Sequence, residues 1–199
     1  LVQDGINVTI IDNLSNGRLE NISSISGEVD FIRADLSIVG DWAKSFIDID
    51  VVYHLAGLAD IVPSIEMPIE YFNANVTSTA NVLEACRKHN VNSLVYSASS
   101  SCYGIPTEYP TSEEALINPR YPYALTKYLG EQMILHWAEV YGMNANSARF
   151  FNVYGTRSRT SGTYGAVFGV FLGQLLNKLP LTIVGDGSQL RDFTYAVSY

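Results

Sequence analysis

The chain is short of positive charge. Twelve lysines and arginines stand against 20 aspartates and glutamates over 199 residues, a formal net charge of −8. A polyanion would meet net repulsion, so nucleic acid is not an expected partner. Cysteine is scarce as well: Cys86 and Cys102 show neither paired spacing nor metal-ligand spacing with His54, His89 or His136. No metal site is expected, and a reducing compartment is the default. No apolar run approaches the ~18 residues of a membrane span, and no basic stretch followed by an apolar block opens the chain. These absences predict a cytoplasmic protein without a membrane partner. Charged residues are only 16% against 47% hydrophobic, which excludes a solvated tail and suffices to bury a sizeable core.

What is present is an alternation of short β-like runs with longer helical ones, the pattern of a parallel sheet covered by helices. Residues 6–11, 29–32, 51–55, 94–96 and 148–153 read as strands. They end at Asp12, Asp35, Ala56 and Gly57, a serine cluster, and Tyr154 and Gly155. In open α/β sheets ligands bind beyond the carboxyl ends of the strands, so these five ends face one crevice. Residues 68–89 and 121–141 read as long helices, the first opening at Pro68 and the second closing near Gly142. The second is apolar on two faces, with Leu125, Leu129 and Met133 on one and Ile134, Leu135 and Ala138 on another, which suits the sheet and a subunit partner. From Gly155 to Gly165 the composition shifts to Gly, Ser, Thr and Arg, before a last helix over 167–177 and a strand over 181–184.

Three constellations could carry chemistry. Tyr123 and Lys127 are four residues apart on a predicted helix and share a face. A phenol ionises near pH 10, but a neighbouring ammonium favours the phenolate, so the pair could shuttle a proton. Such spacing is also common on helices and, alone, is equally an incidental pair. The second is residues 97–104, Ser-Ala-Ser-Ser-Ser-Cys-Tyr-Gly, which leave a strand at the crevice edge. One hydroxyl there could hydrogen-bond a substrate hydroxyl, or the serines could simply satisfy loose backbone groups. The third is Asp12, which ends a strand as the acidic residue of dinucleotide-binding folds does and would favour NAD over NADP, although Asp-Asn-Leu-Ser-Asn-Gly is also a plain turn sequence. His54, inside an apolar strand, reads as a satisfied core histidine, whereas the small Ala56 and Gly57 would let a cofactor approach the backbone.

Taken together, these segments resemble the extended short-chain dehydrogenase/reductase superfamily, and within it the NAD-dependent nucleotide-sugar epimerases and dehydratases, with the UDP-glucose 4-epimerases nearest. The resemblance runs through Asp12 to Gly17, Ala34-Asp35-Leu36, His54 to Gly57, Asn75-Val76, Ser97 to Gly104, Tyr121 to Lys127, Arg149 to Gly155 and Arg191-Asp192-Phe193. It implies a Rossmann-like, doubly wound parallel sheet and NAD as cofactor. Asp12, Asn13 and Asn16, in the motif closed by Gly17, would surround the adenosine ribose and its phosphate, and Asp35 and Leu36 would meet the adenine. Leu55, Ala56, Gly57, Ala59 and Asn75 would line the rest of NAD, with Ser97 also touching it and Phe151 against the nicotinamide. Ser99, Tyr123 and Lys127 fall on the family's catalytic positions, Lys127 also holding the nicotinamide ribose. Asn152 and Arg191, with Ser99 and Tyr123, would bind a nucleotide-diphosphate sugar.

The activity so implied is inversion at C4 of a sugar such as UDP-glucose, UDP-galactose or an N-acetyl analogue, through a transient 4-keto sugar. Sugar-nucleotide 4,6-dehydratases and the decarboxylases that make UDP-xylose share the first step, but the resemblance places a carboxylate in them where this chain has Ser99-Ser100-Ser101. A catalytically silent NAD-binding regulator of the same fold is the remaining alternative. A homodimer through the two long helices is a further expectation.

Two departures from the family are legible. The glycine-rich turn that binds pyrophosphate is missing, and Leu1 to Gly5 match the end of the first helix, so roughly 20 residues would precede them in a complete βαβ unit. The expected fragment has an N-terminally shortened NAD-binding domain over 1–155 and the beginning of a substrate-binding region over 156–199. In the strand order 3-2-1-4-5-6 the missing strand is central, so two facing edges should lack partners, and the chain by itself should fold poorly and bind NAD weakly.

Overall fold

A computed structural model describes residues 1–157, 167–183 and 185–196. Most of the expected linker, Val184 and the final Val197 to Tyr199 lie outside the described residues. Five β-rich runs become the strands of an α/β fold. β1 (Val8–Asp12) and β2 (Val29–Arg33) pair in parallel from Val8 opposite Val29 to Asp12 opposite Arg33. β3 (Val51–His54), β4 (Ser93–Ser99) and β5 (Asn144–Phe150) form a second parallel sheet with β4 in the middle. Among the described residues no strand joins β1 to β3.

The run expected as one strand over 148–153 is divided. β5 stays on β4 as far as Phe150, the chain turns at Phe151, and β6 (Asn152–Tyr154) pairs with β7 (Phe193–Tyr195) in a small third sheet. Tyr154 anchors that sheet by ring contacts with Phe168, Phe193 and Tyr195, and the pairing crosses the boundary expected after residue 155. The strand expected over 181–184 is not formed at its described residues, 181–183, where Thr182 is held by two hydrogen bonds with Gln174.

Helices α1 (Ile61–Glu66) and α2 (Pro68–Phe72) precede a π turn at Asn73–Thr77 that runs on into α3 (Ser78–His89). The run read as one helix over 68–89 is therefore continuous but wider by one π turn, a feature that clusters at functional sites. Asn90, left-handed at φ 54, ends α3 after the basic turn Arg87-Lys88-His89. α4 (Pro122–Tyr141) has proline in its first turn and closes on Gly142 at φ 67, and α5 is Val167–Leu176. Leu83 of α3, Ile134 of α4, and Leu94 and Tyr96 of β4 are wholly buried, and they seat both helices on one face of the β3–β5 sheet. That packing carries the N-terminal turn of α4 to the end of β4, and so positions the site. Among the described residues no helix is long and apolar enough to cross a membrane.

Candidate active site

A cavity of about 790 Å³ opens at the carboxyl ends of β1, β2 and β3. Asp12, Asn13, Asn16, Gly17, Asp35, Leu36, Leu55, Ala56, Gly57 and Ala59, ten residues singled out from the sequence, all line it. The Asp12 carboxylate accepts the Leu14 amide at 2.6 Å. A Cβ at Gly17 would run into that carboxylate, so only glycine allows the loop to close over Asp12. Asp35 accepts the Ser37 hydroxyl at 2.7 Å and the Ser37 amide at 2.9 Å, and these bonds hold its carboxyl below the usual range against the effect of burial. Asn13 reaches Asp35 across the two strand ends at 3.4 Å.

Behind the cavity wall sits Asn75, only 1% exposed, in the π turn. Its Oδ1 accepts the Leu58 amide at 2.7 Å, and its Nδ2 donates to the Leu58 carbonyl and to Thr126 Oγ1, both at 3.0 Å. One buried amide thus fixes the turn after β3 and ties it to α4. A Cβ on Gly57 would lie 2.6 Å from Asn75 Oδ1 and 3.8 Å from Lys127 Nζ, so the glycine lets the turn close over both.

The donor set suits a dinucleotide. Carboxylates and amides at two adjacent strand ends can take ribose hydroxyls, and the wall at Ala56 and Gly57 carries no bulk that would block a flat group.

Beyond this cavity, Ser99 ends β4 and caps the following 3-10 turn. Its Oγ accepts the Ser101 amide at 3.2 Å and shares hydroxyl hydrogen bonds with Ser101 at 2.8 Å and with the Tyr123 phenol of α4 at 3.3 Å. Tyr71 bridges the two regions, donating to the Ala59 carbonyl with its ring edge-on to Tyr123 at 6.4 Å. One turn on, Lys127 is 6% exposed, and burial lowers its ammonium to about 8. Burial pushes the Tyr123 phenol up, the Ser99 hydrogen bond opposes the rise, and Asp60 adds to it. The expected lowering of the phenol by Lys127 is corrected here: the lysine head lies 4.5 Å from the centre of the Tyr96 ring instead.

His54 is the satisfied core histidine expected, 2% exposed, with Nε2 2.9 Å from Thr79 Oγ1. Burial, with the charge of Lys127, drops it to about 3 and keeps it neutral. Cys86 and Cys102 are buried free thiols, pushed by burial up to about 12 and about 11. Among the described residues no group of three or more His, Cys, Asp or Glu could hold a metal.

Other expected residues lie elsewhere. Ser97 is half-buried within β4, Phe151 sits at the turn between β5 and β6, and neither lines the cavity. Asn152 donates to the Asp192 carbonyl at 2.8 Å, and Arg191 folds back on the Leu190 carbonyl at 2.7 Å, both exposed. The sequence reading missed Tyr71, Asp60 and Tyr96. Tyr71, three residues after Pro68, gave no local signal, Asp60 is marked by its φ of 83, and Tyr96 read only as strand filling.

The fold and cavity define a dinucleotide-binding α/β protein of Rossmann type. The model of the NAD dependent epimerase/dehydratase family matches residues 1–199, and the chain belongs to that family. A putative UDP-glucose 4-epimerase of Methanocaldococcus jannaschii is 36% identical over 197 residues, covering 98% of this chain and 63% of the relative. The UDP-N-acetylglucosamine 4-epimerase of Methanobrevibacter ruminantium M1, solved with UDP-N-acetylmuramic acid, superposes with a TM-score of 0.91 at 36% identity over 95% of this chain and 61% of its own. The UDP-glucose 4-epimerase of Thermotoga maritima, solved with UDP-glucose, gives 0.91 at 29% identity over 98% and 63%. The chain thus spans a little under two thirds of the relatives' length. Relatives named as a decarboxylase and a dehydratase match as well.

Proposed function

We propose that this protein inverts C4 of a nucleotide-diphosphate sugar, using NAD held at the carboxyl ends of β1, β2 and β3. The observation that carries the reading is the Tyr123 to Ser99 hydrogen bond, with the buried Lys127 ammonium one helical turn behind it. NAD held by Asp12, Asp35 and the wall at Ala56 and Gly57 would supply reversible hydride chemistry at C4. The chain's own residues handle the proton. Tyr123 takes it from the 4-hydroxyl as the general base, with Lys127 one helical turn away on the same helix. Ser99, whose oxygen accepts the Ser101 amide, can donate a hydrogen bond to the sugar oxygen without releasing its proton, and so orients the ketone until Tyr123 returns the proton it took. Asp12 and Asp35 hold the adenosine end and set the preference for NAD. Phe151, Asn152 and Arg191 are proposed to reach the nicotinamide and the diphosphate.

Ser99-Ser100-Ser101 offers no carboxylate to protonate a leaving hydroxyl, which favours epimerisation over dehydration or decarboxylation. Exposed Leu125 and Leu135 on α4 support pairing of two copies of the protein. The test is proton NMR of UDP-galactose and of UDP-N-acetylgalactosamine incubated with NAD and the complete gene product. The C4 epimer of either is expected, and Tyr123→Phe should reduce its formation by at least ~10²-fold. A 4-keto-6-deoxy product, or undiminished turnover in Tyr123→Phe, overturns the reading.

A further inference from the structure

Lys127 carries a charge into a place that offers it almost nothing. Its side chain is 6% exposed, and among the described residues it has no carboxylate partner. The groups around it come from four elements. β3 presents His54, held neutral by burial. The π turn presents the neutral amide of Asn75 through Gly57. α4 presents Tyr123 and, one turn on, Glu131, whose two oxygens are taken by Arg149. Asp60, just before α1, acts on Tyr123. The remaining neighbour is Tyr96 of β4, wholly buried, with its ring centre 4.5 Å from Nζ.

Tyr96 meets Lys127 twice. The ring face lies under the ammonium, and the phenol donates to the Lys127 main-chain carbonyl at 3.4 Å. That second contact needs room in α4, and Gly130 provides it: a Cβ there would collide with the Tyr96 hydroxyl. Glycine within a helix costs about 1 kcal/mol relative to alanine, so Gly130 calls for a reason, and the Tyr96 hydroxyl is the group that would be displaced. We infer that Tyr96 is a positioning residue that seats Lys127, its ring face replacing lost water around the ammonium and its hydroxyl fixing the backbone from which the side chain starts. The electron-rich face of an aromatic ring attracts a cation most strongly when both are desolvated. The ring therefore favours the charged form of Lys127, one helical turn from Tyr123.

The functional consequence rests on the epimerase reading, so the test has a readout that does not. In the complete gene product, the chain's lysines carry ¹³C at Cε and Lys127 is titrated by NMR. Tyr96→Leu should lower the Lys127 midpoint by roughly one pH unit, whereas Tyr96→Phe, which keeps the ring, should leave it near its place. The alkaline limb of kcat/KM should move down in pH with the NMR midpoint. An unchanged midpoint in Tyr96→Leu, or an equal fall in Tyr96→Phe, overturns the inference. Should Tyr96→Leu fail to fold, fluorinated phenylalanines at position 96 keep the shape while draining the ring face: a stepwise fall in the midpoint is expected, and a constant one overturns it. A midpoint that moves in a protein with no epimerase activity removes the function proposed above and leaves Tyr96 as the seat of Lys127.

Discussion

Glu131 on α4 and Arg149 on β5 meet at 2.7 Å with the carboxylate only 2% exposed. The same guanidinium donates to the Tyr103 hydroxyl at 2.8 Å and to the Glu113 carbonyl at 3.1 Å, and Ser147 donates to Glu131 at 3.1 Å. This one buried pair joins the helix that carries Tyr123 and Lys127 to the strand beside β4 and to the segment that follows Ser99. The Glu131 bonds hold the Arg149 guanidinium well above its usual range, so it stays charged at any working pH.

Removing one partner of such a pair strands the other in a dry interior. Arg149→Leu should therefore destabilise the fold by about 3–5 kcal/mol, and pairing it with Glu131→Leu should recover much of that loss. Denaturant midpoints of the two single variants and the double variant check this. A double variant as unstable as the sum of the singles would show that the ion pair is not what joins the two elements.

Ser99 accepts the Ser101 amide and shares hydroxyl hydrogen bonds with Ser101 and Tyr123. Ser99→Ala removes the hydroxyl whose hydrogen bond opposes the rise of the Tyr123 phenol, and with it the donor available to a substrate oxygen. Turnover should fall by about 10²–10³-fold with little change in NAD binding, since Ser99 does not line the cavity. Steady-state rates and NAD titration by fluorescence separate the two effects.

Gly57→Ala places a carbon 2.6 Å from Asn75 Oδ1. Asn75 is held by backbone on both sides of Leu58 and cannot yield without breaking a buried hydrogen bond, at about 1–3 kcal/mol. Both stability and NAD affinity should drop. Gly5→Ala, where nothing lies within 4 Å of the new carbon, meets no such clash, although its φ of 75 leaves some backbone strain.

Lys127 ionises at about 8 in the folded protein against an ordinary 10.5. Below pH 8 both folded and unfolded chains hold the proton, and folding bears the whole desolvation of the charge. Between about 8 and 10.5 the folded chain releases the proton while the unfolded chain keeps it, so stability rises with pH across that window. Lys127→Met removes the buried charge. It should raise stability at pH 7 by on the order of 1–3 kcal/mol, flatten the pH dependence above 8, and abolish turnover. Unfolding curves at pH 7 and pH 10 give the sign directly.

Much of this was legible along the chain because the signals are local. Alternating apolar runs placed β1 to β4 within a few residues of their observed bounds, Pro122 and Gly142 marked α4, and strand ends at Asp12, Asp35 and Gly57 marked one cavity. The spacing of Tyr123 and Lys127 put them on one face, and the strand exit put Ser99 at the crevice. The division of residues 148–153 at Phe151 was not legible, because both halves are β-formers and only the choice of neighbouring strand separates them.

By itself, then, the sequence determined the element types, the parallel α/β class and the residue types available at each strand end, since period, caps and turn residues act over a few positions. Tertiary structure alone decided that the Lys127 ammonium lies on Tyr96, that Asn75 pins the turn at Leu58, and that Glu131 meets Arg149. These pairs are 31, 17 and 18 residues apart, and a buried polar group takes whichever partner the packing of helix on sheet brings within reach.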